Sequence, residues 1–202
     1  MVFIDNLLCN EILLLAIGVL TAIFGFDLWY RAKKGGSIDE TLSSYLNAIF
    51  PLGLVVLIFA LWGEFTWTLP GSYNILFDDA LTFLGISLLT WWATRKYGGR
   101  FLYAGTVSAI LGIFTIYYGA TGYDLGMTQE PAMLLALYTL YGLTGILSLP
   151  LGIAIDAIRG SNGKRQGMAW IFVVFAVIAV LAVLVNLVLV APTVIAHLTH
   201  AP

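Results

Sequence analysis

Carboxylates are the side chains of this sequence best suited to chemistry. Glu64, Asp78, Asp79, Asp124 and Glu130 stand at the same ends of the apolar runs as Asp5 and Glu11. Carboxylate oxygens hold hard cations such as calcium or magnesium, and acids gathered at the mouth of a bundle concentrate cations there. A plainer role competes with that one. Asp78 and Asp79 follow the turn-forming pair Pro70-Gly71 and fall in the first turn of a helix, where the helix dipole stabilises carboxylates. The acids are therefore metal candidates without a defined ligand set.

Other chemistries lack their residues. The only histidines, His197 and His200, lie near the C-terminus beside Pro192 and Pro202, in a stretch read as an exposed tail. No pair of histidines within an apolar run offers axial ligands to haem or a site to copper, and no lysine lies there to form a Schiff base. Gly-rich phosphate loops, Gly-x-Ser-x-Gly elbows and His-Glu-x-x-His helices are absent as well. No catalytic residue and no cofactor are expected, and the single Cys9 cannot form an internal disulfide.

The elements that position these residues are membrane spans. Of 202 residues, 60% are hydrophobic and 10% charged, at a mean hydropathy of +0.96, against roughly 25% charged in a soluble domain. A helix crosses the hydrocarbon with about 20 apolar residues. Six stretches qualify, near 11–31, 44–64, 75–95, 101–121, 132–156 and 168–191. The expected fold is all-α: a single polytopic transmembrane helix bundle over residues 1–202.

Charge orients it. All nine basic residues fall in alternate connections: Arg31, Lys33, Lys34, then Arg95, Lys96, Arg100, then Arg159, Lys164, Arg165. Basic loops stay cytoplasmic, so the expectation is a multi-pass plasma-membrane protein with both termini outside. The first helix carries no basic residue before it and no cleavage motif after it, and is read as retained. Trp29, Trp91, Trp92 and Trp170 then form an inner aromatic belt, and Trp62 and Trp67 an outer one.

Small residues predict where helices meet. Gly18, Ala22 and Gly25 share one face of helix 1, and Gly105, Ala109 and Gly112 repeat that spacing in helix 4. Close backbone approach drives association in lipid, where hydrophobicity does not. On this reading leucine at Gly18 disturbs packing, whereas Val183 tolerates it. The shared spacing fits either a three-plus-three repeat or a general packing habit. Arg31, Arg95 and Arg159, each followed four residues later by glycine (Gly35, Gly99, Gly163), fit either a triplication or the basic-loop constraint.

Pro51 and Pro150 lie inside predicted helices and are candidate hinges. Asn47 and Asn186 are read as buried polar groups needing partners. Two ion pairs are expected within single helices, Asp27 with Arg31 and Asp156 with Arg159.

The run Leu69-Pro70-Gly71-Ser72-Tyr73-Asn74-Ile75-Leu76-Phe77 followed by acid resembles the signature of an uncharacterised family of archaeal and bacterial membrane proteins, domain of unknown function 981. Phe50-Pro51-Leu52-Gly53 fits that family too, and the likeness covers the whole chain. The family often has Phe-Gly-Asp where this chain has Phe77-Asp78-Asp79, so the resemblance carries no role to Asp78. It implies a fold and a cellular place, and no activity.

Two functions fit the residues ahead of a third, an enzyme with an outward acidic site, for which no base, nucleophile or ligand cluster stands out. The scarcity of buried charge favours a non-catalytic accessory component of a membrane complex or homo-oligomer. The acidic end and the two prolines favour a channel or carrier for a small cation or neutral solute. The expected partners are lipid and other membrane subunits or further copies of the chain, with no nucleic acid.

Overall fold

Backbone hydrogen bonds cannot be left open in lipid, and the apolar stretches accordingly become uninterrupted helices. The computed structural model describes residues 6–69, 71–161 and 166–199. Among them six long helices follow one another: α1 (Asn6–Lys33), α2 (Asp39–Thr66), α3 (Ala80–Lys96), α4 (Phe101–Asp124), α5 (Pro131–Gly160) and α6 (Trp170–Thr199). A π-helical turn, Ile75–Asp79, leads into α3, and a short 3-10 turn, Gln166–Met168, precedes α6. All six helices are long and apolar enough to cross a membrane, so this is a multi-pass membrane protein.

Short connections make neighbours antiparallel. Each helix packs on its neighbours in sequence and α6 returns to α1, so the helices close into an up-and-down ring. One end of the ring bears the basic connections and the other bears Glu64, Asp78 and Asp79.

Glycines set the tightest seams. A Cβ on Gly112 would lie 2.5 Å from the Gly142 carbonyl oxygen and 3.1 Å from the Gly145 Cα, and one on Gly105 would overlap the Ser148 carbonyl. With Ala109 also buried, this face of α4 lies backbone to backbone on α5. On α1, a Cβ at Gly18 would meet Val183 at 2.8 Å and one at Gly25 would meet Ala176 at 2.8 Å, with Ala22 buried between them, so that face packs on α6. Val183 is thus the partner of Gly18 and not a neutral position for leucine. Gly53 and Gly85 form a further seam, between α2 and α3, against Leu88 and Leu57.

Several expectations are corrected. Asn47 is exposed, because its turn of α2 turns Leu46 and Ile49 to the core and leaves residue 47 on the outer surface. Trp91 belongs to the core and not to a belt: it is 6% exposed, donates from Nε1 to Ser108 Oγ at 3.1 Å and tilts against Phe101. The C-terminal stretch is helical through Pro192 to Thr199, so the backbone at His197 continues α6, and His200 lies outside the described residues. A proline removes one backbone donor, a local cost that a long apolar helix absorbs. The candidate hinges Pro51 and Pro150 lie inside α2 and α5. The spaced glycines of the basic loops differ in conformation, since the positive φ falls at Gly35 in one loop and at Gly98, not Gly99, in the next.

The basic end is tied by ion pairs between helices. Arg31 contacts Asp27 at 3.3 Å and also Glu40 at 2.6 Å, and Thr41 donates to Asp27. Asp39 stands between Arg159 at 3.0 Å and Arg95 at 3.5 Å, joining α2, α3 and α5. The expected Asp156–Arg159 pair does not form. Asp156 instead accepts from the backbone N–H groups of Phe101 and Leu102, both at 3.0 Å, capping α4 from across the α4–α5 seam. Unpaired N–H groups at a helix start attract a carboxylate more strongly than a side chain on the same surface does.

Candidate functional site

A ring of helices leaves space at its centre, and here it holds a cavity of about 160 Å³. Its wall runs from Asn10 and Glu11 on α1, past Phe77 and Ser87 on the α3 side, to Trp91 and Ser148 toward the basic end. Leucines, aromatic rings and glycines make up most of the surface, and among the described residues neither lysine nor arginine reaches it. One carboxylate stands on the wall, that of Glu11, whose residue has interactions within the protein while its Oε2 accepts no hydrogen bond.

The polar groups of the wall are mostly satisfied within the protein. Thr21 donates to the Ile17 carbonyl at 2.7 Å and meets the Tyr45 hydroxyl at 2.9 Å. Tyr138 donates to the Leu76 carbonyl at 2.7 Å, Tyr141 to that of Leu14 at 3.2 Å, and Ser148 to that of Thr144 at 3.0 Å. Asn186, 0% exposed, donates to the Tyr141 hydroxyl at 3.2 Å and to the Glu11 carbonyl at 3.4 Å, linking α6 to α5 and α1, while its Oδ1 has no partner.

Asn10 is different. It is 0% exposed, lines the cavity, and neither its Nδ2 nor its Oδ1 has a hydrogen-bond partner. A buried amide without partners costs several kcal/mol, about 2–7 depending on the reference medium.

The acidic end lies beside this cavity, with Phe77 and Tyr138 on the wall between. Asp78 is 1% exposed and sits in the π-helical turn, its carboxyl filling the notch at Gly63 of α2, with Oδ2 unpartnered. Asp79 accepts from the Tyr118 hydroxyl of α4. Asn74 holds the turn in place: its Nδ2 donates to the Gly63 carbonyl at 3.1 Å and its Oδ1 accepts from Leu69 N–H at 3.2 Å. The turn is therefore built by tertiary contacts and not by a plain helix start.

Glu64 is half-buried near Asp78 and Asp79, whereas Asp124 and Glu130 are exposed in the next connection at that end. Asp5 lies outside the described residues. Among the described residues no group of three His, Cys, Asp or Glu side chains has the geometry to hold a metal ion.

Asn10 escapes a reading based on apolar runs, because it stands just before the first of them. A signal existed nonetheless: Asn10, Leu14, Ile17, Gly18 and Thr21 share one helical face when α1 is extended by a turn, and all of them line the cavity.

Among known families, the one described as Protein of unknown function (DUF981) matches residues 1–200. No curated protein and no solved structure matches the chain.

Proposed function

The chain belongs to the DUF981 family of proteins of unknown function, and from that starting point we propose that it is a membrane-embedded binding protein or carrier for a small uncharged solute. The observation that carries this reading is the central cavity between the helices, lined by apolar surface with hydroxyl and amide groups among it. A wall without lysine or arginine does not favour anions. A single carboxylate on the wall, with no metal-holding group among the described residues, does not favour cations. The reading calls for no cofactor and no catalytic residue.

The test is osmotic swelling of proteoliposomes followed by light scattering, with glycerol, urea and isobutyramide as solutes. At least one of them is expected to enter faster than into protein-free liposomes. Ser87→Phe, which fills the cavity wall, should return the rate to the protein-free value while the melting temperature stays near that of the parent. Protein-free rates for every solute would remove the carrier role and leave that of an accessory subunit or homo-oligomer.

In the proposed orientation the basic connections face the cytoplasm of a plasma membrane, both termini face outward, and Asn10 marks the outer end of the cavity. In a Cys9→Ser background, a cysteine at exposed Ser37 should react with an impermeant thiol reagent only after cells are permeabilised. Labelling of intact cells would reverse the orientation.

A further inference from the structure

We infer that Asn10 is the recognition group of the central cavity, and that the ligand carries a hydrogen-bond donor and an acceptor side by side, as a carboxamide does, on a small apolar body. The inference rests on the carrier or binding reading above and names its substrate class. A carboxamide side chain offers two donors on Nδ2 and an acceptor on Oδ1. At Asn10 all of these are unused, although the residue is wholly buried and faces the cavity.

Other polar groups on that wall differ in kind. Tyr138, Tyr141, Trp91 and Ser148 spend their donors on protein acceptors, so they orient the wall, and Asn10 is the amide on it with both polar atoms unused. A group complementary to Asn10 must both donate and accept. A carboxamide does so with two parallel hydrogen bonds, whereas a ketone or ether of the same shape can only accept and leaves the Asn10 oxygen unpaired. That asymmetry is the strongest source of discrimination a neutral site has, because the rejected ligand strands a buried polar atom.

Size sets the rest. A cavity of about 150 Å³ takes benzene, so the 160 Å³ here suits a body of about six heavy atoms. The surrounding leucines and rings match a short branched or cyclic hydrocarbon portion. The opposite wall carries no base to draw in a carboxylate.

The experiment measures binding of two probes of equal shape, isobutyramide and 3-methyl-2-butanone, to the full chain in detergent by ligand-observed NMR. The parent should bind the amide at least about tenfold more tightly than the ketone, the ratio that one neutral hydrogen bond to a buried partner supplies. Asn10→Leu should lose that preference while still binding the ketone, and should melt at a higher temperature than the ligand-free parent, since it removes an unpaired buried amide.

Equal affinity of the parent for both probes would overturn the recognition role and leave the cavity as an unselective apolar site. A lower melting temperature for Asn10→Leu would also overturn it, by making Asn10 a structural residue. Should Asn10→Leu fail to fold, the parent's ratio between the probes decides alone. If neither probe binds the parent, the binding reading itself fails, and a cavity holding only water remains.

Discussion

Gly112→Leu is expected to prevent recovery of folded, monodisperse protein from detergent-solubilised membranes. The Cβ alone would stand 2.5 Å from the Gly142 carbonyl and 3.0 Å from the Ile146 nitrogen. These are backbone atoms, which cannot turn aside as a side chain does. Relief requires α4 and α5 to move apart along the seam on which Gly105, Gly112 and Gly119 face Ser148, Gly142 and Tyr138. Overpacking a well-filled contact costs about 1–3 kcal/mol where side chains can yield, and more where they cannot. In lipid no hydrophobic gain offsets the separation. Gly112→Ala should lower the melting temperature clearly as well, because the clash begins at Cβ. Gly160→Ala serves as the control: a Cβ there meets nothing within 4 Å, and it should leave the melting temperature unchanged. Equal melting of the Gly112→Ala and Gly160→Ala variants would refute the seam.

Asp156→Ala should destabilise the protein by about 2–4 kcal/mol, measured as a loss of unfolding free energy in mild denaturing detergent. It strands two backbone N–H groups at the start of α4, each now bound at 3.0 Å to a carboxylate oxygen. Hydrogen bonds to charged groups contribute about 1.5–3 kcal/mol each, and the half-shielded position of Asp156, 16% exposed, moderates the sum. Arg159→Gln separates this role from a simple ion pair. Because Arg159 contacts Asp39 at 3.0 Å and shares with Asp156 only Phe101, the two substitutions should couple weakly in a double-mutant cycle. Coupling of more than about 0.5 kcal/mol between these sites would show that they act as a pair after all.

Asparagines show how far one-dimensional reading goes. Composition and hydropathy mark Asn47 and Asn186 as polar groups inside spans, yet they treat both alike. In the ring, Asn186 faces inward and bridges three helices, while Asn47 faces outward. Asn10 lies before the first apolar run and is nevertheless fully buried, because α1 begins earlier than its hydrophobic stretch. Hydropathy reports the solvent that a segment meets and does not report which neighbour covers each face.

Glycine spacing behaves in the same way. The face Gly18, Ala22, Gly25 and the face Gly105, Ala109, Gly112 are legible as surfaces for close approach, but their partners, α6 and α5, are not. Asp156 illustrates the electrostatic side. A neighbour three residues away in sequence loses to two N–H groups more than fifty residues away, because those groups cannot find another acceptor.

What the amino-acid sequence determined by itself is what depends on the medium: six spans, antiparallel neighbours, and the gathering of basic residues at one end and most acids at the other. Those follow from transfer energies, which add residue by residue. The closing of α6 on α1, the π-helical turn wedged by Asp78 and Asn74, and the cavity with an unpartnered Asn10 were decided only by tertiary structure. They arise from contacts between side chains and backbone far apart in the chain, and such contacts are properties of pairs, which no single residue carries alone.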